Sequence, residues 1–212
     1  MKKTKKILSL IMIMILAMAL TGCGKKDTSD QLIGKWELTF DYSAVIEDEL
    51  GSDYDGFHEE FDLTVCLDFN ADGTFAMYVD EESLAPTLQN YLESLAQYAT
   101  DLTYEEFEGY SKAEVDEMAE EQFGRSIYDY MLEQFVTAVT AEDIAGEMYT
   151  SGVYEAKGDE VHMDEYEVQD NVYDVFKVEG NTLTLNPPEG AEVEYTGIEG
   201  FDYPYVFTRV AE

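Results

Sequence analysis

Cysteine is nearly absent from this chain of 212 residues: Cys23 and Cys66 are the only two. Two cysteines cannot make the multiple cross-links that hold a small disulfide-stapled domain. Histidine is as scarce, with His58 and His162 standing alone. Structural zinc sites need three or four nitrogen or sulfur ligands at defined spacings, and these residues do not supply them, so no metal is expected. Positive charge is the third shortage. Lys and Arg number 12 against 47 Asp and Glu, a formal net charge of −35. Such a surface repels phosphate backbones, which excludes nucleic acid as a partner, and it favours cations and basic proteins. Familiar catalytic patterns are missing too. There is no G-x-S-x-G, H-E-x-x-H, P-loop or G-x-G-x-x-G, so no cofactor or catalytic residue is assigned. Paired carboxylates can hydrolyse glycosides, but among 47 acids chance pairs carry no signal.

What is present begins at the N-terminus. Lys2, Lys3, Lys5 and Lys6 precede an apolar run over residues 7–20, followed by Leu20-Thr21-Gly22-Cys23. Charged start, apolar run and small residues are the layout of a secretory signal. The run is shorter than the ~20 residues a membrane-spanning helix needs. Leu-Thr-Gly-Cys resembles the lipobox of bacterial lipoproteins. That resemblance implies cleavage before Cys23, diacylglycerol on its thiol, and a protein held on the extracytoplasmic face of a membrane. Residues 1–22 then read as signal peptide and 23–31 as a polar, lipidated tether. With Cys23 lipidated, Cys66 has no disulfide partner and reads as a packed strand residue.

Beyond residue 31 the apolar period is two. Trp36, Leu38 and Phe40 alternate with Lys35, Glu37 and Thr39, as in a half-buried strand. Leu63, Val65, Leu67 and Phe69 alternate, Asn70-Ala71-Asp72-Gly73 turns, and Phe75, Met77 and Val79 alternate back. That predicts a hairpin. Further strands are expected over 152–156 and 160–163 around Lys157-Gly158-Asp159, over 172–178 and 182–185 around Glu179-Gly180-Asn181, and over 203–210. The total is about eight. A short helix is expected near Ala44, Val45, Ile46 and Leu50, with a loop at Gly51-Ser52-Asp53.

Between residues 83 and 149 the period becomes helical. Leu84, Leu88, Tyr91, Leu92, Leu95 and Tyr98 share one face. Thr103-Tyr104-Glu105-Glu106 and Ser111-Lys112-Ala113-Glu114 match the capping box that opens a helix. Ile127, Tyr130, Met131 and Phe135 make another stripe, and Thr140 opens a last short turn. Three or four helices are expected, with acids on their polar faces.

Strands, a helical block and strands again predict an α+β chain that is mainly β. The expected form is an antiparallel up-and-down barrel of about eight strands interrupted by helices. Gly34-Lys35-Trp36 on the first strand resembles the G-x-W motif of lipocalins and their bacterial lipocalin-like relatives. The resemblance implies that Arg209 of the last strand lies across Trp36 and closes one barrel end, with Gly34 beside them. The sequence F-N-A-D-G-T-F, V-E-G-N-T-L-T-L and F-T-R-V also resembles lipocalin-like domains of Gram-positive lipoproteins. On this reading residues 32–212 form a lipocalin-like domain, with the insertion at 83–149 departing from ordinary lipocalins.

An eight-stranded barrel either fills its interior or holds one small ligand. Trp36, Phe40, Phe69, Phe75 and Met77 are expected to face inward, and their bulk favours a filled core; if the barrel holds a ligand, they are the expected lining. Asp68-x-Asn70-x-Asp72-Gly73 matches half of a calcium loop, but the twelfth position is Val79 where a bidentate Glu is needed. The hairpin explains it better. The function expected is non-catalytic binding at the cell envelope. The partners are the membrane through Cys23, and a basic protein or small apolar ligand. An envelope hydrolase and an acidic Ca²⁺-binding module are the alternatives.

Overall fold

The computed structural model describes residues 25–50, 54, 56–169, 171–190 and 202–211. The expected signal segment, Cys23 and the loop expected at 51–53 lie outside the described residues. Eight strands close into one antiparallel barrel in chain order. They are β1 (Gly34–Asp41), β2 (Asp62–Phe69), β3 (Thr74–Val79), β4 (Thr150–Lys157), β5 (Glu160–Asp164), β6 (Asp174–Glu179), β7 (Thr182–Asn186) and β8 (Tyr205–Arg209). β8 returns to pair with β1, Trp36 opposite Arg209 and Glu37 opposite Thr208. Closure removes the exposed edges that an open sheet would leave.

Alternation decides which side chains fill the barrel. Trp36, Leu38 and Phe40 from β1 and Leu63, Val65, Leu67 and Phe69 from β2 are all buried. Val161, Phe176, Leu183 and Phe207 complete the interior from β5, β6, β7 and β8. Cys66 falls on the other face of β2 yet is also buried, with its thiol near the Glu37 carboxylate. Burial pushes the thiol up from its ordinary value, so it is an inert packing residue.

Asn70-Ala71-Asp72-Gly73 is a hairpin turn, and its polar atoms are consumed by the turn. The Asp72 carboxylate accepts from the Thr74 amide at 3.1 Å and the Thr74 hydroxyl at 2.6 Å. Asn70 Nδ2 donates to Thr74 Oγ1 at 3.1 Å. Gly73 has φ +84°, a region that favours glycine.

Helix α1 (Ser43–Leu50) follows β1. The insertion between β3 and β4 holds α2 (Glu81–Glu106), α3 (Lys112–Phe123), α4 (Ile127–Ala138) and α5 (Ala141–Glu147). It starts two residues before the position expected, because Asp80 serves as N-cap and accepts from the Ser83 amide. The capping box at Ser111 and Glu114 is formed, and Thr140 with Asp143 makes a second. Thr103-Tyr104-Glu105-Glu106 does not open a helix. Thr103 lies inside α2 and its hydroxyl donates back to the Ala99 carbonyl at 2.8 Å. A hydroxyl in mid-helix has that carbonyl within reach, which the pattern alone does not reveal.

Residues 25–31 differ most from expectation. Their polar composition predicts a tether, but the chain is docked from Lys25 onward. Thr28 N donates to Ala156 O at 3.0 Å, Gly158 N to Lys26 O at 2.7 Å, and Asp27 bridges to Lys157. Lys25 pairs with Glu160. The polar residues that suggested a tether satisfy the free backbone beside the β4–β5 turn instead. The strands at 172–178 and 203–210 are each shorter than read, spanning β6 and β8 as given.

Candidate functional site

The up-and-down order gives the barrel two unlike ends. One end carries the β2–β3, β4–β5 and β6–β7 turns, the docked tail and the start of β1. Here Arg209 is central. Its guanidinium carbon lies 4.0 Å from the centroid of Trp36. Its nitrogens donate to Ile33 O at 2.6 Å and Gln31 O at 2.8 Å. Trp36 Nε1 donates to Leu32 O at 2.7 Å, and Leu32 is fully buried beneath it. Gly34 has φ +126°, and a Cβ there would stand 2.9 Å from Arg209 Nη1. Glycine lets the guanidinium reach across. This end is shut, and each of these donors has an acceptor.

The other end is covered by helices. The apolar stripe of α2 turns onto the barrel mouth, with Leu84, Leu88, Tyr91, Leu92 and Leu95 joining the barrel core. Helices α4 and α5 pack on α2, and α3 packs on α4. Val115, Ala119 and Ile127 form a separate small core under Met118 and Met131. Phe123 stays partly exposed, stacked on Tyr130 at 4.2 Å.

Where α1 and the insertion meet over the mouth there is a cavity of about 370 Å³. Tyr42, Ile46 and Leu50 line it from the β1–α1 side and Phe61 from the start of β2. Leu88, Tyr91, Leu92 and Leu95 line it from α2. Phe135, Ala138 and Val139 of the α4 end, with Ile144 and Met148 near α5, complete the apolar wall. Glu147 is the one acidic side chain in the lining among the described residues. Ligand sites of this kind are concave and apolar, with few polar groups to fix orientation.

Tyr91 is the unusual member of that wall. Its ring is held edge-on between Phe57 at 5.4 Å and Phe61 at 5.2 Å. The side chain is buried, and its hydroxyl has no hydrogen-bond partner among the described residues. Burial pushes the phenol up to about 12, and the carboxylates Glu47, Glu59 and Asp41 push the same way. An unpaired buried hydroxyl costs about 1–3 kcal/mol.

The residues named from sequence are placed as follows. Gly34, Trp36 and Arg209 meet at the closed end. Phe40, Phe69 and Phe75 are buried in the barrel core, and Met77 packs against it. None of the five expected lining residues borders the cavity, because their side chains fill the space a barrel ligand would need. Cys23 lies outside the described residues. His162 is buried, with Nδ1 3.0 Å from Gln169 O, and His58 is exposed beside Glu47 at 3.1 Å. No group of three or more His, Cys, Asp or Glu converges among the described residues. No described helix is long and apolar enough to cross a membrane. Sequence reasoning saw the α2 stripe but not the cavity, since the partners of that stripe come from four separate segments. The one sequence signal was a tyrosine among leucines at helical spacing.

Compared with known proteins, the chain matches no family model, no curated protein and no solved structure.

Proposed function

We propose that this chain is a lipid-anchored protein of the extracytoplasmic face that works by binding, and that its binding element is the helix-capped end of the barrel. One observation carries the reading: the docked N-terminal segment and the helical cap lie at opposite ends of a filled barrel. The lipobox pattern ends at Cys23, two residues before Lys25 is held beside the β4–β5 turn. Diacylglycerol on Cys23 would therefore set the shut end toward the bilayer and the cap away from it. The likeness to lipocalin-like domains of lipoproteins belongs to the same reading, through Gly34, Trp36 and Arg209. A filled interior leaves the cap to carry the binding, because insertions between scaffold strands are where binding surfaces commonly sit. Charge supports it as well. Residues 81–149 hold seventeen acids and only two basic residues, Lys112 and Arg125, so the cap is repelled by anionic headgroups.

Cell fractionation of Cys23→Ala tests the anchor. Loss of membrane retention is expected, with the N-terminal peptide of the native protein carrying the mass of a diacylglycerol group. Two acyl chains are needed for durable anchoring. A variant retained in the membrane as the native protein is, with an unmodified N-terminal peptide in both, contradicts it.

A further inference from the structure

The cavity under the helical cap also indicates what it takes. We propose that it is a ligand site for a small neutral hydrocarbon body, about the bulk of two joined rings, held by contact with the walls. This rests on the capped end being the binding end, and it is independent of the lipid anchor.

Burial differs between the two sides of the cavity. On the barrel side, Phe61, Leu88, Leu92 and Leu95 are buried in the main core. On the cap side, Ile46, Phe135, Val139, Ile144 and Met148 pack against that core but are only partly buried. These come from α1, from α4 and its C-cap, and from α5 and its C-cap. Apolar surface is driven out of water. Here separate segments bring large apolar side chains to one space and leave their burial incomplete. An apolar body in that space completes it, with a gain that grows with the area covered.

Wall chemistry and size set the body. Apart from Glu147, every lining side chain among the described residues is aliphatic, aromatic or a thioether. Contact with such a wall is dispersion spread over the whole body, so a hydrocarbon suits it and affinity follows the area buried. A dry cavity of ~150 Å³ accepts benzene. The cavity here, about 370 Å³, is more than twice that volume. One ring would leave much of the wall uncovered, whereas two joined rings reach both sides.

The test is equilibrium dialysis of the full-length chain in lipid nanodiscs, with empty nanodiscs as reference. The probes are toluene and 4-methylbiphenyl, which differ by one ring. 4-Methylbiphenyl should bind saturably, one per chain, and roughly tenfold or more tighter than toluene, since each buried methylene-sized group contributes about fourfold. Ile46→Trp and Val139→Trp each put a ring into the cavity from a different segment, and each should remove saturable binding of 4-methylbiphenyl. Val206→Trp adds the same ring on the exposed face of β8 and should bind as the native chain does. Uptake by the native chain no greater than by empty nanodiscs overturns the ligand class, while the reading of the capped end as the binding end stands. Toluene that binds as tightly as 4-methylbiphenyl overturns the proposed size of the site. Both comparisons use the native chain and hold even where a variant fails to fold. Saturable binding that Ile46→Trp and Val139→Trp both keep puts the body elsewhere, and overturns the site together with the reading of the capped end.

Discussion

The two ends of this barrel solve the same problem in opposite ways. Both must cover the apolar interior of an eight-stranded sheet. The shut end does so with a few residues at close quarters: Trp36 under Arg209, the guanidinium bonded to two carbonyls, the indole bonded to a third. The other end uses a helical insertion that leaves about 370 Å³ unfilled and a tyrosine hydroxyl unpaired. Natural interiors rarely tolerate either feature. A buried unpaired oxygen is not confined to the cap, since Asp68 Oδ1 beside the shut end is another, so the unfilled volume is what sets the two ends apart. On the proposed reading, the shut end serves stability and the capped end recognition.

Truncation at the shut end is the harshest way to press that contrast. Trp36→Ala is expected to destabilise the fold by about 3–5 kcal/mol, the usual range for a buried aromatic, read by urea denaturation. A loss below about 1 kcal/mol would mean that the plug is dispensable. Arg209→Ala should follow at about 2–3 kcal/mol, since it removes one cation–π contact and strands two carbonyls.

The barrel interior holds a buried carboxylate that provides a separate check on the scaffold. Asp174 shares the buried face of β6 with Phe176 and accepts from Tyr203 Oη at 2.8 Å. Burial raises it to about 6, and the Tyr203 hydrogen bond pulls back only in part. In the unfolded chain it titrates near 3.8. Between those values the folded state holds the extra proton, so this group favours folding more at low pH. Its contribution weakens as pH rises from about 4 through 6. Asp174→Asn should therefore raise stability at pH 8 by roughly 2–3 kcal/mol and change little at pH 4. Equal effects at both pH values would contradict the assigned burial.

The smallest effect is expected at the cap, and with the opposite sign to truncation at the plug. Tyr91→Phe removes the unpaired hydroxyl and keeps the ring, so thermal stability should rise by about 1 kcal/mol. A loss of that size would show that the hydroxyl has a partner in solution.

The sequence showed the scaffold far better than the site, for physical reasons. Period-two alternation on β1, β2 and β3 is a direct imprint of one buried face, and Asn70 to Gly73 is turn chemistry. Ser111 and Glu114 announced a helix start because a capping box is local. Thr103 misled because the same letters also occur inside a helix, where the hydroxyl bonds backward. Residues 25–31 misled because docking depends on β4 and β5, far along the chain. The cavity needed α1, α2, α4 and α5 together, and no local pattern encodes a gap between four segments. Trp36, Phe40, Phe69, Phe75 and Met77 are bulky enough to predict a filled interior, and they pack in the barrel core.

The most direct test of the division between the ends is NMR of the full-length chain titrated with 4-methylbiphenyl, an apolar body suited to the cavity wall. Trp36 is the only tryptophan, so its indole N–H gives a single resonance at the shut end. The account predicts saturable shifts at the Tyr91 ring and the Leu88 and Leu92 methyls while that indole resonance stays fixed. Movement of the Trp36 indole with an unchanged Tyr91 ring would place binding at the wrong end and contradict the account.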